Sequence, residues 1–326
     1  MSAPDRDRDT VALTAIGTHL PARRVSNRPL AAGLNVSREF LDTRIGIGAR
    51  AVKEPEQRTS DLCLEAFDDL IRHTPVDLDA VRLLCVITQN PDQRIPHTAA
   101  IVHDKLGLAE HCMTFDLSQG CAGYAHGLTV TTALADRLGF GHALLFTCDP
   151  YTPIVDPGDR NTALLFGDAA TVSYLATGAD GYRVLDADFG TAPGTTNVLS
   201  CDTGYLAMDG RGVLLNAART VPGSLRRVLG RNALGLGDID LILAHPGSRR
   251  IIETLREELA VDEKLLPFEI ADYGNTVSSS IPLALAPRLR ENPPLTTLLA
   301  GFGVGFSWGT CLLRYSADTD HTGSNT

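Results

Sequence analysis

The sequence lacks any apolar run long enough to cross a bilayer. Apolar stretches such as Leu83–Thr88 and Ala143–Thr147 are far shorter than the roughly 20 residues that a membrane helix needs. Met1–Thr10 is polar and carries both charge signs, without the apolar centre of a signal peptide. We therefore expect a cytoplasmic protein without a membrane partner.

A cluster of basic residues is also missing. The 39 aspartates and glutamates outnumber the 29 lysines and arginines, which gives a formal net charge of −10. Phosphate backbones are bound by clustered Lys and Arg side chains, so we expect no nucleic-acid partner. The charge balance still allows an acidic carrier protein to dock on a local basic patch.

The seven cysteines form no CxxC pairs, which argues against both a disulfide framework and a zinc ribbon. No HExxH, EF-hand or P-loop pattern is present, so we expect neither a metal nor a nucleotide phosphate held by a P-loop. Cys63, Cys85, Cys148 and Cys311 stand among aliphatic residues and are predicted to be small core side chains. Cys121 stands in a different context.

Short apolar runs alternate with amphipathic segments along the 326 residues, a pattern typical of α/β layering. Two halves of similar length follow the same rhythm, and the Gly178–Gly181 stretch lies between them. We predict an N-terminal half at residues 1–177, a C-terminal half at residues 178–316 and a frayed polar tail at residues 317–326.

The individual elements follow from the same patterns. Apolar runs predict strands at residues 82–88, 113–117, 143–147, 162–175, 184–189, 239–244, 296–301 and 306–315. Amphipathic or Ala- and Leu-rich segments predict helices at residues 98–106, 122–138, 213–231, 249–259 and 277–288.

Ser118–Gly127 joins a predicted strand to a predicted helix through a turn in which small residues flank Cys121. Gly120 and Gly123 leave room for a substrate beside the sulfur. A cysteine at a helix N-terminus also lies beside unpaired backbone N–H groups and the positive end of the helix dipole. Both favour the thiolate, which is the attacking form. We therefore predict that Cys121 is a nucleophile rather than another buried thiol.

A nucleophilic thiolate needs groups that handle protons and oxyanions. His245 follows the apolar run Asp240–Ala244 and precedes a Pro-Gly pair, at a strand end where α/β proteins hold catalytic groups. Asn275 precedes a predicted helix and is either a cap or turn residue, roles that Asn favours, or a donor of the site. Gly301–Gly309 predicts a tight hairpin whose amides line a site, because its spacing is not that of a dinucleotide loop.

Further segments carry a family pattern over nearly the whole chain. They are Phe40–Ile47, Asp159–Ala169, Met208–Arg211, Tyr273–Thr276 and Gly301–Gly309. Together with the segments around the cysteine and the histidine, and in this order, they resemble the ketoacyl-acyl carrier protein synthase III family and its secondary-metabolism relatives.

The resemblance implies an α/β thiolase fold, with two βαβαβαββ halves in a five-layer α-β-α-β-α sandwich, usually as a homodimer. Cys121 would then take an acyl group from acyl-CoA or from the phosphopantetheine thioester of an acyl carrier protein, with no permanently bound cofactor. The backbone N–H groups of Cys121 and Val304 would form the oxyanion hole. His245 and Asn275 would hydrogen-bond the malonyl thioester carbonyl and stabilise the enolate left by decarboxylation.

The resemblance also implies binding residues. Phe40 stands where the family usually has the Trp that stacks on the CoA adenine, with Arg160 as the other face. Leu214 replaces a frequent aromatic residue, so a carrier-bound donor is an alternative to free CoA. Arg250 matches a position that docks acidic carriers, or it is a solvated helix arginine. Ile95 is expected to line the acyl pocket of a dimer mate.

Pro246–Ser248 departs from the Gln-Ala-Asn that usually follows the histidine in bacterial members. It is similar to the His-Pro-Gly-Gly of plant-type polyketide synthases, which also condense malonyl units.

We predict decarboxylative condensation, in polyketide or other natural-product biosynthesis. The alternatives are an acyltransferase in which His245 is general base toward a hydroxyl or amine, a non-catalytic partner subunit, and a Rossmann oxidoreductase. The last lacks a dinucleotide fingerprint. Gly301–Gly309 has no second cysteine, which argues against reversible thiolysis.

Overall fold

The computed structural model describes residues 10–202 and 204–317. The predicted tail therefore lies outside the described residues, except for residue 317. The strands are β1 (Ala12–His19), β2 (Arg24–Ser26), β3 (Ala49–Ala51), β4 (Leu83–Ile87), β5 (Met113–Leu117), β6 (His142–Cys148), β7 (Ala170–Ala176), β8 (Gly181–Thr191), β9 (Leu199–Ser200), β10 (Ala207–Met208), β11 (Leu241–Ala244), β12 (Thr296–Phe302) and β13 (Ser307–Ser316).

The helices follow the apolar periodicity of the sequence, with shorter 3₁₀ turns between them. They are α1 (Asn27–Gly33), α2 (Arg38–Phe40, continued by a π-helical turn at Leu41–Ile45), α3 (Thr59–His73), α4 (Thr98–Leu106), α5 (Gly123–Leu138), α6 (Gly210–Arg231), α7 (Arg249–Leu259) and α8 (Ser280–Glu291). Helix α6 begins before the predicted residue 213 because Asp209 caps it, accepting bonds from the N–H groups of Arg211 and Gly212.

The main sheet consists of two similar half-sheets. The N-terminal half-sheet has the order β5-β4-β6-β7-β1, and the C-terminal one has the order β11-β12-β13-β8. In each half-sheet, the outer strands pair in parallel. The strands nearer the other half-sheet pair with their neighbours in antiparallel orientation. The half-sheets are joined through β1 and β8 at the single pair Leu13–Tyr182. This repetition matches the predicted rhythm of two halves.

Helices α5 and α8 form a layer between the half-sheets. Tyr124 and Leu128 of α5 and Leu285 of α8 share one core cluster with Leu145 of β6 and Leu313 of β13. Helices α3 and α4 pack on the outer face of the N-terminal half-sheet, and α6 and α7 pack on the outer face of the C-terminal one. The five layers alternate α-β-α-β-α, and the thiolase fold is confirmed by the solved structures described below.

The structure differs from the predicted elements at two places. Residues 162–169 are not a strand: Asp159 accepts bonds from the Asn161 N–H and the Thr162 hydroxyl, which fold this segment into turns. Between α7 and α8 the described residues form no paired strand, although the Ile242 N–H donates to the Leu265 carbonyl at 2.7 Å. The order βαβαβαββ is therefore complete only in the N-terminal half.

The chain passes from β7 to β8 through residues 177–180, which overlap the predicted boundary at Gly178–Gly181, and the two-domain division stays a prediction. Cys63, Cys85, Cys148 and Cys311 are fully buried, as expected for core thiols. In the part of the chain that the structure describes, no helix has the length and apolar character needed to span a membrane.

Candidate active site

Cys121 lies in a 3₁₀ turn, Gly120–Ala122, directly between β5 and the start of α5. The strand, turn and helix order predicted around the nucleophile is therefore confirmed. Gly120 has φ +50°, and a Cβ there would meet Gln89 Oε1 at 2.5 Å. On the other side, a Cβ on Gly303 would lie 3.2 Å from the Cys121 Sγ. Gly303 therefore leaves the space in which the sulfur is held, and Gly120 leaves space for the Gln89 side chain.

The expectation that this turn favours the thiolate is wrong for the free protein. Cys121 is only 4% exposed, and burial raises the pKa of its thiol well above the usual range. The neighbouring Asp149 carboxylate adds to this increase, and a hydrogen bond from the backbone of Cys121 itself opposes it. The resting nucleophile is a neutral thiol.

His245 directly follows β11, as predicted, and its backbone N–H donates to the Ala300 carbonyl of the neighbouring strand at 2.7 Å. The imidazole meets the Phe302 ring edge to face, with centroids 5.8 Å apart. Burial lowers the pKa of His245 to about 3, against an opposing contribution from the Val277 backbone. Its Nδ1 has no hydrogen-bond partner among the described residues. An imidazole with so low a pKa is a weak base, which suits hydrogen bonding better than proton abstraction.

Both backbone polar groups of Asn275 are hydrogen-bonded. Its N–H donates to the Leu165 carbonyl at 2.8 Å, and its carbonyl accepts from the Gly167 N–H at 3.0 Å. The side-chain Oδ1 accepts from the Val277 N–H at 2.9 Å. This bond assigns the amide orientation and leaves Nδ2 as the group offered to the site. Asn275 is therefore a turn residue, and the same turn bond makes it an oriented donor.

One cavity of about 650 Å³ brings the three predicted catalytic residues together. Its lining includes Cys121 from the N-terminal half, and His245 and Asn275 from the C-terminal half. The predicted binding residues are part of the same lining, namely Phe40, Arg160, Leu214 and Arg250.

Two predicted residues lie outside this lining. Val304 opens the 3₁₀ turn Val304–Phe306 and lies beside the nucleophile turn, where its Cγ2 would be 3.3 Å from a Cβ on Gly120. Ile95 lies in the loop between β4 and α4 and is 86% exposed. A role in the pocket of a partner subunit stays a prediction.

Sequence reasoning missed two further arginines of the lining, Arg44 and Arg211. Both side chains are exposed. Both residues belong to segments that carried the family resemblance, so those sequence motifs could have identified them. With Arg160 and Arg250 they surround the mouth with four cations, in a chain of net charge −10. Arg250 also makes a 3.4 Å ion pair with Glu257.

The described residues include no group of three or more His, Cys, Asp or Glu side chains that is placed to hold a metal ion. The chemistry of the cavity is instead that of a thiol, an imidazole and a carboxamide below a cationic mouth. A cysteine at a helix start, in a thiolase-like sandwich of two halves, is the arrangement typical of enzymes that transfer acyl groups through a thioester.

The comparisons with known proteins identify the family. The family models described as 3-oxoacyl-[acyl-carrier-protein] synthase III and its C terminal match residues 115–193 and 229–315. The β-ketoacyl-[acyl-carrier-protein] synthase III of Neisseria meningitidis serogroup C is 33% identical over 316 residues, covering 93% of this chain and 98% of the relative. The chain belongs to the 3-oxoacyl-[acyl-carrier-protein] synthase III family and is an acyltransferase of the condensing type.

Solved structures agree with this assignment. The 3-oxoacyl-[acyl-carrier-protein] synthase III of Aquifex aeolicus superposes with a TM-score of 0.87 at 27% identity, covering 94% of this chain and 100% of that one. The priming β-ketosynthase of the R1128 polyketide pathway has a TM-score of 0.85 at 26% identity, covering 95% and 97%.

Proposed function

We propose that the protein condenses an acyl primer, held as a thioester on Cys121, with a malonyl thioester, and that it does so in polyketide or other natural-product biosynthesis. The observation that carries this proposal is the single cavity lined by Cys121, His245 and Asn275. The likeness to a priming β-ketosynthase of a polyketide pathway supports the biosynthetic role.

In the first half-reaction, the Cys121 sulfur attacks the carbonyl of the acyl donor. A carbon–sulfur bond to Cys121 forms, the bond to the donor sulfur breaks, and the donor leaves as a thiol carrying the proton lost by Cys121. The negative charge on the carbonyl oxygen is stabilised by the backbone N–H groups of Cys121 and Val304, which act as preorganised donors.

In the second half-reaction, the malonyl thioester loses carbon dioxide, and the electron pair of the broken carbon–carbon bond forms an enolate. Neutral His245 and the Nδ2 group of Asn275 donate hydrogen bonds to the enolate oxygen. The enolate carbon then attacks the acyl-Cys121 carbonyl, a carbon–carbon bond forms, and Cys121 leaves as a thiolate that regains a proton.

The mouth of the cavity indicates the kind of donor. Arg44, Arg160, Arg211 and Arg250 present four guanidinium groups around it, which suits the phosphates of CoA or of a phosphopantetheine arm. Phe40 is 46% exposed at this mouth and offers an aromatic face for stacking. Both acyl-CoA and an acidic acyl carrier protein fit these groups.

We also propose a homodimer. Among the described strands, β5 is an edge strand that pairs with β4 alone, and its Met113 is 43% exposed. Exposed edge strands are ready for pairing with a second chain. The fully projecting Ile95 fits a role in the partner's acyl pocket, as the family resemblance implies.

An acyltransferase that moves the acyl group to a hydroxyl or amine is the nearest alternative. It needs His245 as a general base, and the lowered pKa of His245, about 3, makes this imidazole a weak base at neutral pH. A weakly basic ring that acts as a hydrogen-bond donor instead favours the condensation.

The test is to load the enzyme from a panel of acyl-CoA and acyl-carrier donors, record the adduct mass, and add malonyl-carrier protein. We expect an adduct on Cys121 and release of carbon dioxide with a β-ketoacyl product. An adduct without carbon dioxide release would sink condensation in favour of acyl transfer. No adduct with any donor would favour a non-catalytic subunit.

A further inference from the structure

A buried carboxylate lies behind the nucleophile and has no role in the reaction described so far. Asp149 follows β6 by one residue and is completely buried. One carboxylate oxygen, Oδ1, accepts from the Gln89 N–H at 2.6 Å, and the other, Oδ2, accepts from the Ser278 hydroxyl at 2.5 Å. Buried carboxylates are costly and need such donors.

The Ser278 bond fixes the turn that orients Asn275. Ser278 belongs to the 3₁₀ turn Val277–Ser279, and Val277 has φ +54°, a strained value for a β-branched residue. The Val277 N–H is the group that binds Asn275 Oδ1. A strained turn persists only when its surroundings hold it, and the Asp149–Ser278 bond ties this one to the end of β6.

The Gln89 bond reaches the nucleophile turn. Gln89 Oε1 accepts from the Tyr151 hydroxyl at 2.5 Å and lies 2.5 Å from the position of a Cβ on Gly120. Ser278 also packs beside Gly123, with its Cβ 3.5 Å from the position of a Cβ there. Asp149 therefore bonds to groups that contact both the Cys121 turn and the Asn275 turn.

We propose that Asp149 is a positioning residue, which holds the Val277–Ser279 turn for Asn275 and sets a negative charge behind the Cys121 thiol. The first role rests on the proposed function of Asn275 in decarboxylation. The titratable groups that face the carboxylate are the thiols of Cys121 and Cys148 and the phenol of Tyr151, and Asp149 contributes to a raised pKa in all three.

The Asp149 carboxylate carries its negative charge at neutral pH. Burial raises the pKa of Asp149 to about 6, opposed by its hydrogen bonds from Ser278 and Gln89, so the carboxylate is ionised at pH 7 to 8. Above pH 6 it opposes formation of the Cys121 thiolate, and below pH 6 this opposition is lost.

The experiment compares Asp149→Asn, Ser278→Ala and the control Asp69→Asn. Asp69 is a partly buried carboxylate of α3 that accepts from the Thr18 N–H of β1 at 2.8 Å, and neither element contains a residue of the two turns. Two readouts need no substrate: the pH dependence of Cys121 alkylation by iodoacetamide, followed by peptide mass spectrometry, and hydrogen exchange of the Val277–Ser279 amides.

Asp149→Asn is expected to raise the rate of Cys121 alkylation at pH 8 about tenfold, the size of a nearby charge effect, and to speed amide exchange. Ser278→Ala is expected to speed exchange and to leave the alkylation rate at pH 8 nearly unchanged, because the carboxylate is still ionised there after the loss of one donor. Both variants should slow carbon dioxide release from a malonyl thioester about tenfold. Asp69→Asn should change none of these. An unchanged alkylation rate in Asp149→Asn, unchanged exchange in Ser278→Ala, or equal changes in Asp69→Asn would overturn the proposal.

If Asp149→Asn does not fold, the wild-type alkylation profile decides the charge effect. Ionisation of Asp149 makes the rate rise less than tenfold per pH unit around pH 6, whereas a constant tenfold rise would overturn it. A wild-type protein that releases no carbon dioxide would count against the proposed function alone, since alkylation and exchange still report on Asp149.

Discussion

Burial acts in opposite directions on the Cys121 thiol and the His245 imidazole, which both line the cavity. It raises the pKa of Cys121 and lowers the pKa of His245 to about 3. At neutral pH the site therefore holds a thiol and a neutral imidazole, and no thiolate–imidazolium pair is stored in the free enzyme. The thiol proton has to leave during acylation, and His245 is free to act as a hydrogen-bond donor in the later step.

The lowered pKa of His245 predicts that its ring does not titrate between pH 5 and 8. The unfolded chain protonates this histidine near pH 6.5, so between pH 6.5 and about 3 the unfolded state binds more protons, and stability is lost as the pH falls through that window. The measurement is the Cε1–H resonance in ¹³C-histidine-labelled protein, identified by its disappearance in His245→Gln. A titration midpoint near 6.5 would contradict the burial argument.

The proposed division of labour predicts that the half-reactions can be separated by mutation. Cys121→Ala should give no acyl adduct, because the attacking sulfur is gone. His245→Ala and Asn275→Ala should still form the adduct while decarboxylation falls about 10² to 10³-fold, the usual cost of losing one oxyanion donor. Intact-mass spectrometry and carbon dioxide release give the two rates. Loss of the adduct in Asn275→Ala would show that this residue serves acylation instead.

Among the structural elements, the hairpin between β12 and β13 places its glycines against the nucleophile. Gly303 has φ 167°, an extended conformation that any residue adopts, so its backbone needs no glycine. Space is the reason: a Cβ at this position would lie 2.7 Å from the Cys121 Cβ. The hairpin predicted from Gly301–Gly309 is therefore confirmed, and the role of its amides in the site stays a prediction.

Gly303→Ala should accordingly slow acyl adduct formation by about 10²-fold, because the added methyl displaces the sulfur from its attack position. Gly230→Ala in α6 is the matched control, since nothing lies within 4 Å of a Cβ there; it should acylate at the wild-type rate. Adduct formation is followed by rapid-quench mass spectrometry. Equal rates for wild type and Gly303→Ala would show that the hairpin yields to the methyl group at no cost.

Elements with a strong local signal could be predicted from the sequence, and the rest depend on distant partners. Helix 249–259 and strand 113–117 match to the residue, because their apolar pattern is periodic and their ends are marked. Residues 162–169 are as apolar as a strand, but they fold into turns that bind the Asn275 backbone. No sequence pattern indicated a role for Asp149, because its partners Gln89 and Ser278 are remote in sequence.

At the scale of the whole molecule, the site exists only because the two halves are packed together. The nucleophile turn comes from the N-terminal half, and the histidine and asparagine come from the C-terminal half. The shared layer of α5 and α8 fixes their relative position through side chains such as Tyr124 and Leu285, which are completely buried. Motif order along the sequence indicated the residues, and the common core explains why they meet.

The proposed homodimer extends this argument to a second chain, and Ile95 provides its test. Ile95 is 86% exposed in its own protomer, so Ile95→Trp should fold normally. If the side chain enters the partner's acyl pocket, the larger ring should narrow that pocket, and Ile95→Trp homodimers should lose adducts of longer acyl chains while keeping the shortest.

The decisive arrangement is a mixed dimer of Ile95→Trp with Cys121→Ala. Here the only reactive sulfur belongs to the Ile95→Trp chain, and its pocket receives the unaltered Ile95 of the other chain. Adducts of longer acyl chains should therefore return in the mixed dimer, as measured by native mass spectrometry. If they do not return, Ile95 acts within its own protomer, and the pocket is complete in a single chain.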